Sequence, residues 1–144
     1  MSIMNESSIK YIVVHCSATK GDQDFGAEDI NQWHIERGWS EIGYHFVIRR
    51  DGHIELGRDL DKVGAHVKGF NKHSWGVCLI GGLDESGNPD DNFTEDQWRS
   101  FTTTIRFLKS MAFNAEVLGH RDFPDVHKEC PCFDVKTKLE ELGV

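Results

Sequence analysis

The sequence predicts an α/β fold, a single domain with a central mixed β-sheet flanked by α-helices. Short apolar segments rich in β-branched residues alternate with amphipathic segments of helical period. One pair of strand-like segments is joined by an Asp-Gly turn, whereas helix-length segments separate the others, so antiparallel and parallel pairs are both expected. The length of 144 residues fits one domain, residues 1–144, in which residues 1–10 are expected to be a flexible N-terminal segment.

The first half of the chain contains three segments with clear structural signals. "YIVVHC" (residues 11–16) is a short apolar run that predicts a buried strand. Residues 27–38 carry apolar and aromatic side chains at helical spacing and end in Gly38, a residue type that commonly follows the last helical turn. Residues 44–58 contain two strand-like runs around Asp51 and Gly52, which is a strong signal for a hairpin.

The second half repeats the alternation of strand and helix. "WGVCLIGG" (75–82) predicts a buried strand, and "AEVLGH" (115–120) predicts another. Between them, Thr94 and the Gln three residues later form a capping-box pattern, followed by apolar residues in steps of three and four as far as residue 112. A final helix is predicted over residues 134–143, beginning at Asp134 and ending at a glycine.

Composition excludes several classes of function. The net charge of −8 disfavours nucleic-acid binding, which requires basic surfaces to displace counterions. No run of eighteen apolar residues occurs, so membrane insertion is not expected. "MSIMNESSIK" lacks the basic and apolar regions of a signal peptide, which predicts a protein made in a reducing cytoplasm without stable disulfides. We expect a monomer.

Two predicted strands end in a histidine, His15 and His120, and Cys130 follows ten residues after the second. Ligands and catalytic groups of open α/β sheets collect where strands end. Imidazole and thiolate both suit zinc, and three protein ligands with one open position are typical of a catalytic zinc site. The sequence contains no HExxH and no paired CxxC. Spacing alone therefore leaves a zinc site and a chance placement of histidines equally open.

Five motifs in order carry a resemblance that favours the zinc site: "HCSATK", "WHIERGW", "IGYHFVIRRDGHIELGR", "VGAHVKGFNKHSWGVCLIGG" and "KECPCFD". With these motifs the chain closely resembles the zinc-dependent N-acetylmuramoyl-L-alanine amidases, a family that includes the lysozymes of T-odd coliphages, bacterial type 2 amidases and peptidoglycan-recognition proteins. The resemblance runs from about residue 11 to residue 136. It implies the peptidoglycan-recognition-protein fold and hydrolysis of the amide between N-acetylmuramic acid and L-alanine.

The resemblance also implies roles for individual residues. His15, His120 and Cys130 fall on the family's ligands for one Zn²⁺ ion, while Tyr44 and Lys128 fall on its two catalytic side chains. From the residues alone, Tyr44 also fits a half-buried strand aromatic and Lys128 a solvated loop charge.

Two further residues, His66 and Asn71, fall in a glycine-bearing loop of the family's substrate groove. The segment between His120 and Lys128 is slightly longer than in the coliphage proteins, which leaves His127 as the alternative to Lys128.

The remaining cysteines and histidines are assigned structural or surface positions. Cys16 and Cys78 lie in apolar strands and are expected to be small buried side chains, with Cys16 on the face opposite His15. Cys132 is expected to stand outside the metal site. The histidines divide into two expected structural residues, His34 and His45, and three expected surface residues, His53, His73 and His127.

The function predicted from this resemblance is that of a phage or prophage endolysin, a zinc amidase held in the host cytoplasm until a separate pore releases it to the cell wall. One alternative is a cytoplasmic amidase that recycles soluble muropeptides, although the implied cysteine ligand favours the phage type. Another is a binding protein, because some peptidoglycan-recognition proteins do not cut, and coliphage lysozymes also bind and inhibit a phage RNA polymerase. Peptidoglycan is the expected partner, and a phage RNA polymerase is a possible second one.

Overall fold

The computed structural model describes residues 8–144, which form a mixed α/β fold. The strands are β1 (Tyr11–Cys16), β2 (Thr19–Lys20), β3 (Phe46–Ile48), β4 (Ile54–Leu56), β5 (Ser74–Leu79), β6 (Gly82–Leu83) and β7 (Glu116–Gly119). The helices are α1 (Ala27–Glu36), α2 (Glu95–Met111) and α3 (Val135–Leu142), and 3-10 turns occupy Asn71–His73 and His120–Asp122.

The central sheet has five strands in the order β4-β3-β5-β1-β7. Strand β1 lies parallel to both β5 and β7, and β3 lies parallel to β5. Only the β3–β4 hairpin is antiparallel among the pairs of this sheet. The prediction of a mixed sheet flanked by helices is therefore confirmed. A separate two-stranded parallel pair, β2 with β6, was not predicted, because two-residue strands leave no periodic signal in the sequence.

The capping residues and glycines in the sequence correctly predicted where several helices and the hairpin turn end. Gly38 follows α1 at φ +94° and Gly52 sits in the hairpin turn at φ +90°, two conformations that favour glycine. Thr94 caps α2: its side chain accepts from the backbone N–H of Gln97, whose own side chain accepts from the N–H of Thr94. Asp134 caps α3, which ends at Gly143 in the left-handed region.

The two faces of the sheet are covered differently. On one face, Ile12, Val14 and Cys16 of β1 pack in the largest apolar cluster with residues of α2 and α3. On the other face, β3 and β5 contribute to a small cluster with α1, and Val13 of β1 packs against loop residues. No helix among residues 8–144 is both long and apolar enough to cross a membrane.

Two sequence predictions need correction. Ile9 is buried in the main apolar cluster, and the backbone of Lys10 hydrogen-bonds to His73 and Glu116. The predicted flexible segment therefore does not include these two residues. Residues 1–7 of that segment lie outside the described residues. Tyr44 and His45 precede β3 rather than belonging to it, because the backbone pairs there with single bonds to Gly76 and Gly57 before the regular ladder begins.

Candidate active site

The site is built around His15, the last residue but one of β1. Its side chain points to the face opposite Cys16 and is almost fully buried, with 1% exposure. Three aromatic rings surround it at centroid distances of 4.6 Å (His120), 4.9 Å (Tyr44) and 5.0 Å (His66). The first predicted site residue therefore lies at the centre of a cluster of polar rings.

The parallel pairing of β1 with β7 brings the second histidine beside the first. Val14 is the register partner of Gly119, so the residues that follow them, His15 and His120, lie at the same edge of the sheet, where the two strands end. The loop after β7 returns Cys130 to this edge, where the backbone N–H of Arg121 donates to its carbonyl at 2.9 Å. The order of the strands thus assembles three residues that are far apart in the sequence.

His15, His120 and Cys130 form a group that can hold a metal ion. Each offers one ligand atom, and these atoms all lie within 4.8 Å of one another. His15 Nδ1 faces the Cys130 sulfur at 3.9 Å. The backbone N–H of Cys16 donates to the same sulfur at 3.2 Å, a contact that suits a thiolate. The donor set of two imidazoles and one thiolate fits zinc.

The electrostatics of the site favour the ligand forms of both histidines. Burial, followed by the neighbouring His66 and His120, holds the pKa of His15 well below its usual value. Burial and then the Lys128 charge lower the pKa of His120. Neutral imidazole is the form that binds metal, so both rings are ready to act as ligands near neutral pH.

Tyr44 lies half-buried against the metal group. Its ring contacts both His15 and His34, the latter at a centroid distance of 5.5 Å. Burial, and then the neighbouring sulfur groups of Cys78 and Cys130, hold the pKa of Tyr44 well above its usual range. The phenol is consequently protonated at neutral pH and can donate a hydrogen bond.

Lys128 and His127 both lie in the wall of a cavity of about 680 Å³ that also contains His120 and His66. Both side chains are exposed. After burial, the Lys128 charge is among the causes that lower the pKa values of His15 and His120, so its ammonium lies close enough to act on the site.

His66 and Asn71 also lie in the cavity wall, and the two His66 nitrogens and the Asn71 side-chain oxygen are engaged within the protein. His66 Nδ1 is 2.9 Å from His15 Nε2, and His66 Nε2 is 3.2 Å from Ser74 Oγ. The Asn71 Oδ1 atom accepts from the backbone N–H groups of His66 and Val67, each at 2.9 Å. Sequence reasoning missed the bond between His15 and His66, since they are 51 residues apart and no local pattern connects them.

The other cysteines lie where the sequence predicted. Cys16 is buried, with its sulfur 3.8 Å from that of Cys132, and neither belongs to the metal group found among the described residues. Interaction with the Cys130 thiol, together with burial, raises the pKa of Cys16 to about 12. A hydrogen bond with Cys16 raises the pKa of Cys132. Cys78 is fully buried in β5.

The predicted structural histidines are also confirmed. His34 Nδ1 accepts from the backbone N–H of Gly43 at 2.9 Å, and His45 bonds to the backbone of Lys62 and Gly76. His53 and His73 are exposed. Trp39, which sequence reasoning did not select, also lies in the cavity wall.

A sheet with this strand order brings together two histidines and a cysteine that could hold a metal ion. Residues 5–133 match the N-acetylmuramoyl-L-alanine amidase family, and the chain belongs to that family. It is an enzyme of the amidase class that acts on peptidoglycan.

Individual relatives agree with this membership. The chain is 51% identical to the endolysin of Klebsiella phage KP32 over 130 residues, covering 90% of this chain and 85% of that protein. It is 47% identical to the endolysin of Escherichia phage T7 over 130 residues, again covering 90% of this chain and 85% of that protein. Among solved structures, the N-acetylmuramoyl-L-alanine amidase LysC from Clostridium intestinale URNW superimposes with a TM-score of 0.81 at 29% identity, covering 100% of this chain and 91% of that one. The predicted fold is thus confirmed.

Proposed function

We propose that this protein is a phage or prophage endolysin that uses one zinc ion to hydrolyse the amide between N-acetylmuramic acid and L-alanine. The observation that carries the proposal is the grouping of His15, His120 and Cys130 beside a cavity, in a chain of the amidase family. The endolysin role rests on the names of the phage relatives, which match most of this chain.

These three residues would hold zinc, and His120 also lines the cavity. Zinc at such a site polarises a carbonyl and lowers the pKa of water toward neutrality. The backbone N–H of Cys16 supports the Cys130 sulfur as a thiolate, and the buried surroundings of His15 keep its ring neutral. The substrate amide is proposed to lie in the cavity, with its carbonyl carbon next to the ligand trio.

Lys128 and Tyr44 supply the two proposed catalytic side chains. The Lys128 ammonium stabilises the oxygen of the scissile carbonyl as negative charge develops there. The support is its position in the cavity wall and the effect of its charge on both histidine ligands. Tyr44 acts as a neutral hydroxyl that orients the attacking water or passes a proton, which agrees with its raised pKa.

His66 and Asn71 are retained as proposed parts of the substrate groove, because both line the cavity. His66 contributes to the shape of the groove, since both of its nitrogens already have partners, and the Asn71 oxygen holds the loop backbone. The protein is proposed to act as a monomer on the cell wall after release from the host cytoplasm. Inhibition of a phage RNA polymerase stays a prediction.

Digestion of purified Gram-negative sacculi, followed by mass spectrometry of the released ends, tests the proposal. Intact stem peptides with a free L-alanine amine are expected, together with about one zinc per chain by elemental analysis. Chelation should abolish the activity and added zinc should restore it. Activity only on soluble muropeptides would favour the recycling alternative. Binding of sacculi without cleavage, in zinc-loaded protein, would refute the amidase and leave a recognition protein.

A further inference from the structure

A line of hydrogen bonds runs from the metal group into the protein through His66. His15 Nδ1 faces Cys130, and the opposite nitrogen of the same ring, Nε2, is 2.9 Å from His66 Nδ1. The other nitrogen of His66 is 3.2 Å from the hydroxyl of Ser74, a fully buried residue. All of the ring nitrogens of His15 and His66 are therefore committed to particular partners.

This arrangement fixes where the protons lie. A ligand nitrogen must offer its lone pair, so His15 Nδ1 carries no proton and Nε2–H is the donor toward His66. His66 Nδ1 then accepts, which places the proton of His66 on Nε2, toward the hydroxyl of Ser74. Each bond dictates the tautomer of the next ring, and the rotation of the His15 ring is fixed at the same time.

The surroundings of His66 hold it in this position. A Cβ atom at Gly76 would lie 2.8 Å from the His66 ring, and one at Gly64 would lie 2.7 Å from it, so both glycines make room for the imidazole. The Asn71 side chain fixes the backbone on the other side by accepting from the N–H groups of His66 and Val67. The two glycines and the Asn71 hydrogen bonds thus hold the His66 ring in a buried position, with 8% of the residue exposed.

We infer that His66 is a positioning residue of the metal site: it selects the Nε2–H tautomer of His15 and aims His15 Nδ1 at the position shared with His120 and Cys130. This inference rests on the proposed metal site and deepens it. Partners of this kind usually contribute 10- to 100-fold to metal affinity. His66 is therefore expected to act through His15 rather than by holding the substrate.

The test compares zinc affinity, measured by competition with a chelator, in three variants. His66→Phe keeps a ring but removes the acceptor, and it should weaken zinc binding about 10- to 100-fold. His66→Gln keeps an acceptor within reach of His15 and should restore much of the loss. His34→Phe is the matched control, because it removes another buried histidine acceptor with a 2.9 Å bond, to the backbone of Gly43. It should reduce stability without changing zinc affinity.

A spectroscopic readout separates positioning from mere structural support. In the wild-type protein labelled with ¹⁵N-histidine, the His15 ring should be the Nε2–H tautomer, both before and after zinc is added. His66→Phe should give a mixture of His15 tautomers in the zinc-free protein. If His66→Phe does not fold, the wild-type spectrum still decides, because an Nδ1–H tautomer of His15 would overturn the inference.

The outcomes keep this inference apart from the proposed function. Absence of zinc binding by the wild-type protein refutes the proposed metal site itself. Normal zinc binding by both the wild-type protein and folded His66→Phe refutes the positioning role alone. If that variant also shows a raised KM, His66 contacts the substrate instead.

Discussion

Strand β1 presents two very different faces, although their residues alternate along one short stretch of chain. Ile12, Val14 and Cys16 face the layer formed by α2 and α3, where they pack in the main apolar cluster with side chains such as Phe101 and Leu108. Val13 and His15 face the opposite side, where Val13 packs on loop residues and His15 enters a cluster of polar rings. Strand geometry alone thus places a core and a site on either side of the same six residues.

The difference comes from what covers each face. A long amphipathic helix such as α2 can cover a sheet continuously, because apolar residues recur on one of its sides at each turn. On the other face, α1 covers β3 and β5, while the loops around Val67 and Phe123 cover β1. The metal group and its cavity lie at this second face, where loops bring in the remaining side chains. Loops positioned by a rigid sheet are a common location for function.

The largest expected effect comes from removing the sulfur ligand on the site face, which is the face of β1 that carries His15. Cys130→Ser should lose zinc and with it nearly all activity, because a serine hydroxyl is a poor substitute for a thiolate in a zinc site. Cys132→Ser is the matched control, since Cys132 contacts Cys16 on the core side and stands outside the metal group. Elemental analysis and sacculus turnover measure both variants. Equal loss of zinc in the two would show that the loop presents both sulfurs to the metal.

A substitution on the core face, which is the face of β1 packed against α2 and α3, should lower stability and leave zinc binding unchanged. Phe101 of α2 is fully buried in the main cluster, and Phe101→Ala should lower the free energy of unfolding by about 3–5 kcal/mol. Zinc affinity of the protein that remains folded should be unchanged. Phe113→Ala is the control because Phe113 is 75% exposed, and it should change stability by less than about 0.5 kcal/mol. Urea unfolding measures both, and a loss of zinc affinity in folded Phe101→Ala would show that the two faces are coupled.

Lys128→Ala should separate catalysis from metal binding within the site face. Loss of one oxyanion-stabilising group commonly costs about 100- to 1,000-fold in rate, so turnover should fall by at least about a hundredfold with zinc retained. Lys128→Arg should rescue only part of this, since a planar guanidinium cannot replace a compact ammonium.

His127→Ala is the paired control for Lys128, since both residues line the cavity. It should leave turnover near normal. If Lys128→Ala is near normal and His127→Ala is slow, the catalytic assignment moves to His127.

The sequence predicted the elements of both faces better than it predicted the site. The helix cap at Thr94, the hairpin turn at Gly52 and the stop at Gly38 depend on neighbouring residues, so local patterns revealed them. The grouping of His15 with His120 required the parallel pairing of β1 with β7, which the strand-end argument anticipated only as one of two readings. Resemblance to the amidase family favoured the grouped reading, and the structure brings His15, His120 and Cys130 together.

What the sequence could not supply was the set of contacts between distant loops. The bond between His15 and His66 depends on the closeness of β1 to the loop before β5, and on glycines that make room for the ring. Neither feature has a periodic signature. His66 could be placed in a groove by resemblance, but its partners became visible only once the strands were assembled.

The smallest expected effect is a dependence of stability on pH that arises from the site face. Burial lowers the pKa values of His34 and His45 to about 4 in the folded protein, against an ordinary value of 6.5. Between those values the unfolded chain binds more protons, so stability is complete above pH 6.5 and is lost as the pH falls through about 4. From pH 7 to pH 6 the two residues together should cost about 1 kcal/mol, and the lowered pKa values of His15, His66 and His120 add to the loss in the same direction. Urea unfolding at the two pH values, with chelator present so that zinc release does not contribute, measures the effect. Higher stability at pH 6 would show that burial does not keep these histidines neutral in the folded protein.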